Sequence, residues 1–267
     1  MEKSGGIRGA NTQSILLNMK ILMSNLGHLR GISGSLTHHL LLAHRHFYCS
    51  AAVQENVWRQ LTGVISREHP DLCCFVEIEQ AAFHSANFCL LEDIAGESYP
   101  FFDIENKYGY TSRLRSFPMT RGKSNAFLAK HDFSYEKIHF SHGTKRLIYK
   151  ISLAPEVTLF FAHFSLNKKT RTRQLQEVRQ LISDTPGEVI FLGDFNILGG
   201  FWELEPLLHQ NDLVLLNRKE HPTFTFHFFR KVLDICICTR NIAARSRLLV
   251  IPQPYSDHAA LLLEVDM

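Results

Sequence analysis

Asp194 and Asn196 stand two residues apart in Val189-Ile190-Phe191-Leu192-Gly193-Asp194-Phe195-Asn196. At the end of an extended apolar run, residues at that spacing project to one side. A carboxylate and an amide held so can bind a metal, activate a water or orient a polar substrate group. As plain turn formers they would only end the strand. Other stretches repeat the pattern of an apolar run that delivers polar groups at its end. Ile21 to Gly27 carries Asn25, Leu72 to Glu77 ends in Glu77 with Glu79 two further on, and Val157 to His163 ends in His163. Tyr255-Ser256-Asp257-His258 precedes the run Ala259 to Val265. An adjacent Asp and His there can bind metal, or supply a base with a nearby carboxylate to orient it. Asp234 lies inside the apolar run Lys231 to Cys238. Burial and strand propensity disfavour an acid at such a place unless it is paired or bound.

These short apolar runs, bounded by turn residues, predict buried strands that must hold the polar groups. Asn125 to Ala129 and Leu147 to Leu153 read as further strands, and Pro100 to Asn106 as a turn and edge segment. Helical patterning covers residues 36–66, 81–95, 170–183 and a short piece from Leu204 to Leu208. The first of these is rich in histidine. His39 and His46, seven apart, can share a helix face. Without a cysteine or carboxylate they make a weak metal set, and an apolar helix studded with basic groups can instead meet a lipid surface. Lys107 to Lys123 mixes basic and aromatic residues, which suits phosphate contact plus stacking. Arg121, Lys123 and the following Asn125 are the candidate substrate-binding residues, and Lys145-Arg146 can add charge.

Composition narrows the classes. The chain has 267 residues, 45% of them hydrophobic, enough for a sizeable core. A net charge of +3 is too mild to mark a dedicated nucleic-acid binder. The six cysteines show no CxxC spacing and sit partly within strand-like runs, which favours a reduced, cytoplasmic chain. No apolar stretch reaches the roughly 18 residues of a membrane span. Residues 1–18 lack a signal-peptide core and read as a loose tail, with residues 19–267 as one domain and Met19 as a natural start.

Taken together, the motifs Ser24-Asn25-Leu26, Phe75-Val76-Glu77-Ile78, Ala162-His163-Phe164-Ser165, Gly193-Asp194-Phe195-Asn196, Leu233-Asp234-Ile235 and Ser256-Asp257-His258 resemble those of the endonuclease/exonuclease/phosphatase superfamily, the deoxyribonuclease I-like fold. The resemblance runs from about residue 20 to residue 265. It implies an α/β fold, a four-layer α/β sandwich of two packed mixed β-sheets flanked by helices. It implies a divalent cation, usually Mg²⁺ with Mn²⁺ as the substitute, held by Glu77 with Asn25 and Asp257. Attack of water on a phosphorus ester would use His258 as general base and Asp234 as its orienter. Asp194 and Asn196 would position water and phosphate, and His163 would donate to a phosphate oxygen or protonate the leaving group.

His163 narrows the resemblance further. Exonuclease III-type abasic-site endonucleases generally lack a histidine in that strand and carry tryptophan-rich loops, whereas Pro222 to Arg230 holds no tryptophan. The two-histidine pattern looks more like deoxyribonuclease I, bacterial sphingomyelinases, inositol-phosphate phosphatases and related phosphodiesterases. The expectation is a Mg²⁺-dependent phosphoesterase on a small or lipid-linked phosphodiester, with peripheral membrane contact through helix 36–50. A nuclease on DNA or RNA, clamped by the Lys107 to Lys123 loop, is the alternative. A catalytically inactive binding module on the same fold is the third reading. Nothing in the sequence speaks to oligomeric state.

Overall fold

The computed structural model describes residues 18–46, 48–79, 91, 96, 98–110, 112–117, 120 and 122–267. In chain order the strands are β1 (Met19–Asn25), β2 (Leu72–Glu79), β3 (Phe101–Asn106), β4 (Lys123–Ala129), β5 (Tyr135–His139), β6 (Leu147–Ala154), β7 (Val157–His163), β8 (Glu188–Asp194), β9 (Leu213–Leu215), β10 (Phe224–Phe226), β11 (Phe229–Lys231), β12 (Asp234–Thr239), β13 (Ser246–Ile251) and β14 (Ala260–Val265). The helices are α1 (Leu36–Leu41), α2 (Ala51–Glu68), α3 (Lys168–Ser183), α4 (Glu205–Gln210) and α5 (Arg240–Ala244). Two six-stranded sheets result, in the orders β13-β14-β1-β2-β4-β3 and β5-β6-β7-β8-β12-β9, with β10-β11 as a separate hairpin. Both sheets are mixed: β1 runs parallel to β2 and β7 parallel to β8, while the other pairs are antiparallel.

Alternation sorts each strand between two cores. Ile21, Met23, Leu72, Cys74, Leu159, Phe161, Ile190, Leu192, Cys236 and Cys238 meet between the sheets. Their sequence neighbours Leu22, Cys73 and Phe75 face outward onto Val57, Trp58, Leu61, Val64 and Ile65 of α2. Phe160, Val189, Phe191 and Ile235 face outward onto Leu175, Val178 and Ile182 of α3. Strands covered on both faces must be apolar at successive positions, which is why they read as continuous runs. The layers are therefore helix, sheet, sheet, helix, the sandwich expected. The described cysteines Cys49, Cys73, Cys74, Cys236 and Cys238 are free and buried.

Several expectations change. The histidine-rich helix is short: α1 stops at Leu41, a 3-10 turn covers Ala43–His46, and α2 starts only after Ser50. Ser35 caps α1 by accepting the His38 N–H, but its leucines find no core to hold the helix longer. The run Lys231 to Cys238 is broken, so that Asp234 opens β12 instead of lying within a strand. Pro100 to Asn106 contributes the edge strand β3. Edge strands β5, β9 and β13, absent from the sequence reading, are half-exposed and so lack a full apolar signature. The expected helix 81–95, apart from the buried Leu91, and the tail through residue 17 lie outside the described residues.

Two contacts hold the strand ends in place. Gly193 lies opposite Ala162, and a Cβ on it would stand 2.1 Å from the Ala162 carbonyl oxygen. Arg171 of α3 is fully buried, donates to Glu203 at 2.9 and 2.6 Å, and donates to the carbonyl oxygens of Ser165 and Leu166 at 3.0 and 2.9 Å. Gly193→Ala is expected to lower stability by about 1–3 kcal/mol, as overpacking does. Arg171→Leu, which strands Glu203 in the interior, is expected to lose about 3–5 kcal/mol. Urea unfolding followed by tryptophan fluorescence checks both, and midpoints matching the parent protein would refute them.

Candidate active site

The inner face of the sandwich supplies the site. Asn25 lies two residues beyond Met23, His163 two beyond Phe161 and Asp194 two beyond Leu192. Asp234 and Asn125 lie two before Cys236 and Phe127. Each thus continues an inward-facing row past the point where the apolar core ends. Register then lines up three of them: His163 pairs with Asp194 across β7–β8, and Asp194 with Asp234 across β8–β12. From the other sheet, the Asn25 Nδ2 donates to Asp194 Oδ2 at 3.0 Å.

Asn196 joins by a different route from the one expected. The strand ends at Asp194, and Asn196 adopts a left-handed φ of 51°. Its backbone N–H donates to Asp194 Oδ1 at 3.0 Å and its Nδ2 to the Phe164 carbonyl at 3.0 Å. A turn closed by the aspartate side chain, not strand periodicity, brings the amide beside the acid.

Asp234 and His258 form the tightest pair. The His258 Nδ1–H donates to Asp234 Oδ2 at 2.7 Å with both residues buried. That bond leaves the Nε2 lone pair of a neutral ring free to accept a proton. Burial works against the imidazolium, but the Asp234 carboxylate outweighs it and lifts His258 to about 10. Thr223 Oγ1 accepts from the backbone N–H groups of Leu233 and Asp234, at 3.0 and 2.9 Å. The second Asp234 oxygen, Oδ1, is buried without a hydrogen-bond partner. The loop carrying His258 is anchored by Ser256 Oγ, which donates to the Asn25 carbonyl at 2.9 Å, and by Ser24 Oγ, which donates to Gln253 at 2.6 Å.

Glu77 occupies a cationic corner. Phe75 and Ile78 both pack in the outer layer although they are three apart, because a bulge inserts one residue between them. Glu77 takes a left-handed φ of 55° there and turns into the site. Its Oε1 lies 3.6 Å from His28 Nε2, 3.5 Å from Lys107 Nζ, 3.9 Å from Lys145 Nζ and 3.7 Å from His163 Nδ1. Burial pushes Glu77 upward, but these neighbours, the two ammonium groups among them, prevail and hold it well below the usual carboxylate range. Burial, reinforced by Lys145, draws His163 down to about 4, so its ring is neutral. The His163 Nε2 meets both the Lys145 ammonium and, at 3.2 Å, Asp194 Oδ2. Burial likewise pushes Asp194 upward, but His163 and its other neighbours hold it down to about 2.

The oxygen donors expected for a cation are Glu77, Asn25 and Asp257. Asn25 Oδ1 accepts the Gly27 N–H at 3.1 Å and retains a second lone pair. One ionised carboxylate, one amide oxygen and a loop carboxylate suit a hard divalent ion that keeps several waters. Two ammonium groups compete for Glu77, so the site is less anionic than its acids suggest. Among the described residues, Asp194, Asp234 and His258 also bring ligand-type atoms within 4.8 Å of one another. The His258 Nδ1 is committed to Asp234, which fits proton handling better than ligation.

Of the expected substrate-binding residues, Arg121 lies outside the described residues. Lys123 opens β4 beside Lys107, to which its carbonyl is hydrogen-bonded, and burial pulls its ammonium downward. Asn125 is buried on the inner face with its Oδ1 unpartnered. His28 escaped the sequence reading, because a single histidine after a strand carries no spacing signal. It is buried at a left-handed φ of 57° with its Nε2 toward Glu77.

Comparison with known proteins bears on the fold and the family. No curated protein matches the chain by sequence. Solved structures do match in fold. D. rerio TDP2 complexed with single strand DNA product is 17% identical with a TM-score of 0.62, covering 94% of this chain and 99% of that one. Sphingomyelinase C from Streptomyces griseocarneus is 14% identical with a TM-score of 0.60, covering 93% and 99%. The endonuclease domain of TRAS1, a telomere-specific non-LTR retrotransposon, is 15% identical with a TM-score of 0.56, covering 93% and 99%. The sequence profile of the Endonuclease/Exonuclease/phosphatase family matches residues 56–258, about three quarters of the chain. The chain belongs to the endonuclease/exonuclease/phosphatase family.

Proposed function

We propose that this protein is a divalent-metal-dependent hydrolase of phosphodiesters in which His258 activates the attacking water. The observation that carries the reading is the 2.7 Å bond from His258 Nδ1 to a fully buried Asp234. It fixes the ring and leaves Nε2 to take the water's proton. Asp194 and Asn196 stand beside that pair to position water and phosphate. Lys107 and Lys145 bring two cations to the place where phosphoryl oxygens would gather. The neutral His163 supports a role as hydrogen-bond donor to a phosphate oxygen, and a weaker one as the leaving group's proton source. Glu77, Asn25 and Asp257 would hold Mg²⁺, which when bound offsets charge on the phosphoryl and leaving oxygens.

A small or lipid-linked phosphodiester is the favoured substrate. The Phe224 ring lies 4.9 Å from the His258 ring and brings an apolar hairpin to the reacting side. A nuclease is the second reading, supported by the fold shared with TDP2 holding a DNA product and by the basic residues between Lys107 and Lys123.

Three outcomes are expected. His258→Ala should lower Mg²⁺-supported hydrolysis of bis-(p-nitrophenyl) phosphate by about 10²–10⁴-fold in protein that still unfolds cooperatively in urea, and undiminished turnover would end the general-base assignment. Glu77→Gln should weaken Mn²⁺ binding, read by calorimetry, by about tenfold or more. The third concerns pH. His258 must lose its proton before it can act, and Asp234 raises its pKa, so the rate should climb with pH. Asp234→Asn removes the raising charge and should shift that climb to lower pH while reducing the plateau. A limb that stays in place would show that Asp234 does not set the charge of the ring.

A further inference from the structure

Two segments each carry several large apolar side chains in solvent. Leu36, Leu40 and Leu41 of α1 are 54%, 70% and 74% exposed. At the β10–β11 turn, Phe228 is 96% exposed, and Phe226 and Phe229 are 41% exposed. The segments touch. The His227 N–H donates to the Gly34 carbonyl at 2.6 Å, and the His39 ring lies 4.6 Å from Phe226 and 5.2 Å from His227. Gly34 is so close to the hairpin that a Cβ would overlap the Thr225 carbonyl. The result places the exposed leucines and the exposed phenylalanines on two touching elements, joined through His39 and His227, that are more than 180 residues apart in sequence.

The two segments themselves carry charge of one sign. Neither residues 26–54 nor residues 221–233 contain a single aspartate or glutamate, while they carry Arg30, Arg45, Arg230 and Lys231 besides the histidines. Lys231 lies against the Phe229 ring at 5.3 Å. Asp257, before His258, brings a negative charge toward His39 and His46. Exposed leucine and phenylalanine rimmed by arginine and lysine is the composition of a surface that lies in a lipid interface. The side chains enter the acyl boundary and the cations meet anionic headgroups. Leucines gain nothing from a nucleic-acid partner, which offers phosphate and stacking instead.

We propose that α1 and the turn of the β10–β11 hairpin form a docking surface for an anionic lipid bilayer. The hairpin is bonded directly to the catalytic loop: the Thr225 N–H donates to the Asp257 carbonyl at 2.9 Å, and the Ala259 N–H to the Thr223 carbonyl at 2.6 Å. Docking therefore brings His258 to the headgroup layer, where a lipid-linked phosphodiester would meet it. That consequence rests on the hydrolase reading above, and the docking itself does not.

Vesicle flotation tests the proposal, with the full chain and a Leu40→Glu/Leu41→Glu/Phe228→Glu variant. Wild type is expected to float with phosphatidylcholine vesicles containing phosphatidylglycerol and much less with phosphatidylcholine alone. The triple variant should lose about tenfold or more of that binding, while keeping its urea midpoint and its rate on bis-(p-nitrophenyl) phosphate. Flotation without hydrolysis by any protein would support docking and remove only the hydrolase reading. Wild type that stays unbound to both vesicles, or a variant that floats equally well, would overturn the proposal. So would a wild-type dimer in light scattering that the variant dissociates, or binding of single-stranded DNA that the substitutions abolish in place of lipid binding.

Discussion

Asp194 and Asp234 face each other across neighbouring antiparallel strands, and both are buried. Like charges directly opposite on a sheet repel, and burial raises the cost of each. The structure meets this by giving each acid a separate partner. Asp194 has His163 and the Asn25 amide, while Asp234 has His258. The consequence is a split in proton affinity. Asp194 stays ionised while the Asp234–His258 pair holds its proton tightly, which is how closely spaced titratable groups come to play different parts.

Part of the backbone strain lies at the same place. Among the described non-glycine residues with positive φ, His28, Glu77 and Asn196 lie at the site, while Leu29, His69, Asp212 and His227 lie elsewhere. Such conformations cost on the order of 1–3 kcal/mol each and survive only where the surroundings over-determine them. Here the surroundings are the inter-sheet core and the buried Arg171. The arginine bonds the loop after His163 to Glu203 in the loop after Asn196. The two polar segments that leave the inner sheet are thereby fixed to each other. Ser256 and Ser24 do the same for the loop carrying His258 and the strand carrying Asn25.

Glu77 shows how one inserted residue changes chemistry. Regular alternation from Phe75 would have aimed residue 77 outward, toward α2. The bulge sends it inward to His28, Lys107, Lys145 and His163 instead. The lysines arrive from separate turns, before β4 and before β6, and are held by backbone bonds between Lys107 and the segments at Lys123 and Arg146. No spacing in the chain announces that meeting.

The amino-acid sequence by itself determined the layers. Ile21 to Met23, Leu72 to Val76, Leu159 to Ala162 and Val189 to Leu192 are apolar at every position because both faces of each strand are covered. The same rows, extended by one period, named Asn25, His163 and Asp194, because strand alternation is a local property that needs no partner to be known. Asp257 and His258 were visible as an adjacent pair, and Asp234 as an acid too costly to leave unpaired. Tertiary structure decided the rest. Register set His163, Asp194 and Asp234 side by side. A side-chain-closed turn placed Asn196, a bulge turned Glu77 inward, and close packing brought His28 and the two lysines to it. Each of those depends on hydrogen bonds and packing between segments far apart in the chain, whose energies no single stretch of residues contains.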